Sequence, residues 1–249
     1  MLKRQNKFLI SFLTLFFTFT TLCLSETYKE LDKDIVLADS LFQARKYTQS
    51  FDLYHDILHK HSAYSPAMLI KMAFIKEGLS DYPSALYYLN LYYQVSAQKK
   101  VLEKMEKLAE THGLSGYNYD DLEYFQFVYK KNKWIIVTAL AAIALGLMVW
   151  TIIEKRKTQK VNGSLSIFVV VFLTLAFVML NFSPQKPKGI IQSPVTHIME
   201  GPSIGAEVID VIKGGHRVNI NDRKDIWVEI EWKNNRAYVH KNHLKEVRL

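Results

Sequence analysis

Few residues of this 249-residue chain have types and spacing that could do chemistry. Asp52, His55 and His59 share one face of an expected helix at i, i+3 and i+7. From such a spacing two imidazoles and a carboxylate can reach one divalent cation. No second ligand cluster accompanies them, and the same pattern describes an ordinary polar helix face, so no metal is expected. The only cysteine, Cys23, lies inside an apolar run, which leaves no disulfide within the chain and no thiol site. Gly214-Gly215 follows Lys213 in a hairpin-type turn and does not join a strand to a helix as a phosphate loop would. No nucleophile–base set stands out, and the carboxylates are scattered. The expectation is a chain without enzymatic activity and without a cofactor. What remains is recognition. Trp227 and Tyr238 near the C-terminus, and Tyr88 and Tyr92 in a tyrosine-rich segment, are the candidate partner or ligand contacts.

The elements that must position these residues follow from where charge and apolar side chains fall. The net charge is +8, but residues 26–133 carry a net −1. The excess sits on residues 1–25, on the loop 154–160 and on residues 185–249, each with +3. Basic residues beside apolar runs set membrane orientation and do not form a phosphate-binding surface, so no nucleic-acid partner is expected.

Three apolar runs stand out. "MLKRQNK" followed by Phe8–Leu24, with Cys23 and Ser25 at −3 and −1 before Glu26, has the pattern of a signal peptide over residues 1–25. An uncleaved anchor is the alternative, and both place the following residues outside the cytoplasm. Trp134–Ile153 is 20 residues without a charge, and Leu165–Phe182 is 18. About 20 residues span a hydrocarbon core of about 30 Å. The sequence therefore predicts two transmembrane helices, 134–153 and 165–182, joined by a cytoplasmic loop over 154–164. Both soluble parts then face the same side, the periplasm of a bacterial inner membrane.

Residues 26–112 read as helical. "LADSLFQARKYTQSFDLYHDIL" from Leu37 and "MAFIKEGLSDYPSALYYLNLYY" from Met72 match at an offset of 35 residues: Ala38 with Ala73, Tyr47 with Tyr82, Ser50 with Ala85, Tyr54 with Leu89. A helix–turn–helix unit of that period resembles the tetratricopeptide repeat (TPR). Two degenerate units and a capping helix, Ala97–Thr111, are expected, with residues 113–133 as linker and aromatic juxtamembrane helix. Tyr124, Phe125, Phe127 and Tyr129 would lie near lipid headgroups.

Residues 183–188 form a proline-containing spacer, and residues 189–249 alternate in short strands. Val208–Ile212 and Arg217–Ile220 flank the turn Lys213-Gly214-Gly215. Asn221–Asp225 reads as a second turn. Ile226, Val228, Ile230 and Trp232 share one strand face; Trp227, Glu229 and Glu231 share the other. "KNNR" turns the chain into Ala237–Val239. Met199-Glu200-Gly201-Pro202-Ser203, Lys213–Ile220, Trp227–Ile230 and Ala237–Val239 resemble the turn and strands of a bacterial SH3-like (SH3b) domain. That family binds peptides or cell-wall fragments, or only packs.

The predicted fold class is thus a multidomain membrane protein: all-α TPR-like repeats, two transmembrane helices and an all-β SH3-like barrel. In this order the pieces resemble the E-type family of the Bat (aerotolerance) proteins. The resemblance implies a membrane assembly with von Willebrand factor A-type Bat components. The residues themselves support an adaptor, held in the lipid bilayer, that presents two heads to other membrane proteins. A peptidoglycan-binding anchor that localises an enzyme through its helices is the alternative.

Overall fold

The computed structural model describes residues 31–118, 121–158, 163–181 and 186–249. The expected signal peptide lies outside the described residues. Helix α1 covers residues 31–43, followed by α2 (Tyr47–Lys60), α3 (Pro66–Gly78), α4 (Tyr82–Ser96) and α5 (Lys99–Thr111). The 35-residue offset is visible in the backbone. Arg45 and Ser80, one period apart, both adopt left-handed φ, at 61° and 59°, to turn the first helix of each unit into the second. Ala38, Ala73, Ser50 and Ala85 are all buried, so the helices of each unit approach over small side chains. Ser50 keeps its hydroxyl by donating it to Ala38 O at 2.8 Å, one turn of chemistry that an alanine would lack. Asp81 caps α4 by accepting from Ser84 N, and Ser65 caps α3 by accepting from Met68 N. Helix α5 begins at Lys99, two residues later than expected, because Ala97 takes φ 58° and ends α4.

The juxtamembrane helix and the first apolar run are one element. Helix α6 (Asp121–Thr158) runs 38 residues, about 57 Å at 1.5 Å per residue. Among the described residues one helix, within Glu123–Arg156, is long and apolar enough to cross a membrane. The second expected crossing forms helix α7 (Gly163–Asn181), but its apolar stretch, Ser166–Asn181, falls short of that length. The two helices form an antiparallel hairpin. Tyr129 Oη donates to Met179 O and Lys133 Nζ to Leu180 O, both at 2.7 Å, which satisfies carbonyls that the last turn of α7 leaves open. Val137, Ala144 and Ala176 are buried along the hairpin, while Trp134, Ile135, Leu145, Trp150 and Phe177 are exposed. An apolar surface that large marks contact with a membrane or partner.

The C-terminal strands are β1 (Lys188–Ile191), β2 (Thr196–Met199), β3 (Val208–Ile212), β4 (Arg217–Lys224), β5 (Trp227–Trp232), β6 (Asn235–His240) and β7 (Leu244–Glu246). They form one antiparallel sheet in the order β3-β2-β6-β5-β4-β1-β7. Strand β4 continues through the residues expected to turn, as far as Lys224; the turn to β5 is Asp225-Ile226, with Asp225 at φ 58°. Lys233 and Asn234 both take positive φ, the conformation a two-residue hairpin of right-handed twist requires. Ile191, Ile198, Val218, Ile220, Val228, Ile230, Ala237 and Val239 fill the core of this unit.

The helical head and the sheet share a second core. Ile190 and Val247 pack with Tyr54, Leu86, Tyr88, Leu91 and Tyr117. Because successive strand residues face opposite ways, Ile190 enters the helical core while Ile191 enters the sheet's own. The segment after α5 is the hinge between the two. Tyr117 is buried and donates its hydroxyl to Gly215 O at 2.7 Å. Arg217 N donates to Ser115 O at 3.0 Å, and Arg217 Nε to Gly116 O at 2.6 Å. Gly116 has φ 92°, and a Cβ there would lie 1.9 Å from Arg217 O; only glycine admits this approach. Gln94 Nε2 donates to Val247 O at 2.9 Å, tying α4 to the chain after β7. The helical and SH3-like parts are therefore one composite head.

Candidate functional site

The cross-strand pairs of β5 and β6 place Trp227 opposite His240, Glu229 opposite Tyr238 and Glu231 opposite Arg236. Residues two apart share a face, so these three rungs line the sheet surface opposite the core that Val228, Ile230, Ala237 and Val239 fill. At the Trp227 end, pairing of β2 with β3 and β6 adds His197, Met199 and Val208, and the turn after β2 adds Ile204. Together with His243 from the short 3-10 turn Lys241–His243 they line an open groove of about 440 Å³.

The groove is mainly apolar, with imidazoles as its polar groups. The Trp227 indole meets the His240 ring edge-on at 5.8 Å between centroids, and His240 lies 5.7 Å from His243. Burial, followed by the neighbouring His240 and His197, holds the His243 pKa below the usual imidazole value. Its imidazole is thereby biased toward the neutral form, in which it can meet apolar or aromatic surface without burying a charge of its own. Ile204 is 85% exposed at the rim, an apolar side chain that gains nothing in the isolated chain.

The four expected contact residues separate. Trp227 lines the groove, half-buried and accessible. Tyr238 is on the same sheet face one rung away but does not line it: it is buried, its hydroxyl donates to Glu229 Oε2 at 3.1 Å, and Lys224 Nζ lies 5.5 Å from its ring. Its ring and hydroxyl are thus taken up by contacts within the sheet. Tyr88 is 2% exposed, and burial raises its phenol pKa; it is core, packed edge-on against Phe51 at 5.6 Å. Tyr92 is partly buried against the same core. Of the juxtamembrane aromatics, Tyr124 and Phe127 pack on the helical head, with Phe127 4.5 Å from Tyr93, and Phe125 is exposed. His55 and His59 do meet, ring to ring at 4.2 Å, but among the described residues no group of three potential ligands is placed to hold a metal ion.

His197, Ile204, His240 and His243 were not evident from the sequence as site residues. One local signal exists: Ile204 is a large apolar residue in a turn otherwise built of Gly, Pro and Ser. The histidines converge only through the pairing of β2 with β6. Residues 198–245 match the bacterial SH3 domain family. That match contains all of the groove except His197. No curated protein matches the chain.

Proposed function

We propose that this protein is a non-enzymatic, membrane-held scaffold whose composite head captures a protein partner through the Trp227 groove of its bacterial SH3 domain. The observation that carries this reading is the groove itself: an accessible Trp beside the exposed Ile204 and Val208, on a domain type associated with protein interaction or peptidoglycan binding. Aromatic anchors in apolar grooves supply most of the binding energy in such contacts. The helical units resemble tetratricopeptide repeats, and both crossings are proposed to be transmembrane. The antiparallel hairpin supports the placement of the whole head on one side, the periplasmic side, since α7 returns to the level of Tyr129 before the sheet begins. The order of parts favours a Bat-type aerotolerance assembly with von Willebrand factor A-type components as partners.

Peptidoglycan is the second reading, favoured by the flat indole and imidazole faces, which suit a sugar ring. The full chain in neutral detergent separates the two. Crosslinking to membrane proteins that is lost in Trp227→Ala, without retention on isolated peptidoglycan, is the expected result. Retention on peptidoglycan that Trp227→Ala abolishes would replace the scaffold reading with the cell-wall one. Crosslinking that Trp227→Ala leaves intact would remove the groove from the mechanism.

A further inference from the structure

A second cluster of functional groups lies where strand β7 meets the helical head, away from the Trp227 groove. Lys245 of β7 is partly buried, with its ammonium 4.2 Å from the centre of the Tyr87 ring and 5.7 Å from that of Tyr88. Among the described residues it makes no ion pair. Beside it Lys76, at the end of α3, sits 4.4 Å over the Phe51 ring and pairs with the Asp81 carboxylate at 3.1 Å. Phe51 packs edge-on against Tyr88 and lies 5.9 Å from His55, whose ring in turn meets His59 at 4.2 Å. Two ammonium groups and two imidazoles thus converge over a floor of Tyr and Phe rings, built from α2, α3, α4 and β7.

The arrangement is unfavourable for an empty surface. Lys245 is desolvated, and Asp81, the carboxylate that acts on it, is already paired with Lys76; like charges brought together in partial burial repel. The ring faces offset part of that cost through cation–π attraction. Burial first, and then the charge of Lys245, lower the pKa of His55. Burial, His55 and Lys245 lower that of His59. The ammonium of Lys245 is lowered by burial and by Lys76, and raised by Asp81. The carboxylates that act on these imidazoles are Asp52, exposed, on His55, and Asp56, already paired with Lys60 at 2.6 Å, on both. An oxyanion seated here would accept from both ammonium groups and from imidazole N–H donors, and would remove the repulsion.

We propose that Lys245, Lys76, His55 and His59 form a binding site for a carboxylate or phosphate group, at the seam between the SH3 domain and the helical head. Its sources are an acidic segment of a protein or a free phosphate ion. The site does not depend on the Trp227 groove. Since Lys245 comes from the SH3-like sheet and the other three from the helices, an anion bound here also braces the joint.

The test uses the full chain in neutral detergent with labelled histidine, titrated separately with inorganic phosphate and with a short oligoglutamate peptide. Binding is expected to move the His55 and His59 imidazole resonances and to raise both pKa values. Lys245→Met and His55→Gln are each expected to weaken binding about tenfold, as loss of a charge-assisted contact should. His55→Gln leaves strand β7 untouched and guards against a folding defect in Lys245→Met. Response to oligoglutamate well below the phosphate concentration assigns the site to an acidic protein segment, and response to phosphate alone assigns it to the free ion. If neither anion moves these resonances, or if both variants respond like the parent, the proposal is wrong.

Discussion

If the joint makes one head of two parts, then breaking it at Arg217 must cost far more than breaking a similar contact at the surface. Arg217 and Arg236 offer a comparison within one sheet. The Arg217 side chain is 4% exposed, donates through Nε to Gly116 O, pairs through Nη2 with Glu123 at 3.3 Å and lies over the Tyr117 ring at 5.4 Å. The Arg236 side chain is 84% exposed and lies 3.8 Å from Glu229. Removing one partner of a buried pair costs about 3–5 kcal/mol, whereas an exposed pair contributes about 0–1 kcal/mol. Glu123 is a quarter exposed and also holds Lys188, so Arg217→Met belongs at the lower end, about 3 kcal/mol. Arg236→Met should cost under about 0.5 kcal/mol. The assay is denaturant unfolding of the full chain in detergent, with amide exchange at Ser115, Tyr117, Gly215 and Arg217. In the parent these amides should exchange only with the opening of the whole head. In Arg217→Met they should exchange sooner than the sheet core at Ile220 and Ile230. Equal stability of the two variants, or unchanged protection at the hinge, would refute the composite head.

Two further outcomes follow from the same geometry. His216 Nδ1 accepts the Ser115 N–H at 3.0 Å, which requires it to be unprotonated, and lies 2.7 Å from Ser115 Oγ. Burial and Lys213 depress its pKa, against Asp210, and its ring packs on Trp232. The unfolded chain therefore binds the proton more readily, so this contribution is complete above about pH 6.5 and declines as pH falls through that value toward the folded pKa. Denaturant midpoints measured between about pH 7.5 and 5 should fall with pH, and His216→Asn, which can still accept the Ser115 N–H, should flatten part of that slope; an unchanged slope would exclude His216 as the titrating group. Thr196 is fully buried in β2, and its hydroxyl has no hydrogen-bond partner among the described residues. Thr196→Val keeps the β-branched shape and removes the unsatisfied group, so the unfolding midpoint should rise by an amount equal to about 1 kcal/mol; a loss of stability would show that the hydroxyl is bonded in solution.

Much of the local structure was legible because it depends on near neighbours. The matched windows from Leu37 and Met72 located both helical units, since small residues at the same offset must meet in the same way, and the structure buries Ala38, Ala73, Ser50 and Ala85 accordingly. Alternation in Trp227–Trp232 assigned each side chain to its face, because a strand's period is set by its backbone. Lys233-Asn234 declared a turn by its residue types. The uncharged run from Trp134 announced a membrane-length helix. Where local signals were short the sequence misled or was silent. Strands β1, β2 and β7 have three or four residues each, too few for a period to show, and the polar end of β4 looked like a turn because its outward face is solvated.

Only the tertiary structure decided what touches what across the chain. Tyr88 and Tyr238 carry the same interface-prone side chain as any exposed tyrosine, and their burial depends on Phe51, Glu229 and Lys224 arriving from other elements. His197, His240 and His243 become one groove wall because β2 pairs with β6. Lys245 meets Tyr87, and Ser115 meets His216, across more than a hundred residues of chain or a whole domain. Periodicity reports how one element divides its own surface between core and exterior. It carries no information about which distant surface will cover that face, and that choice joined the helices and the SH3 domain into one head.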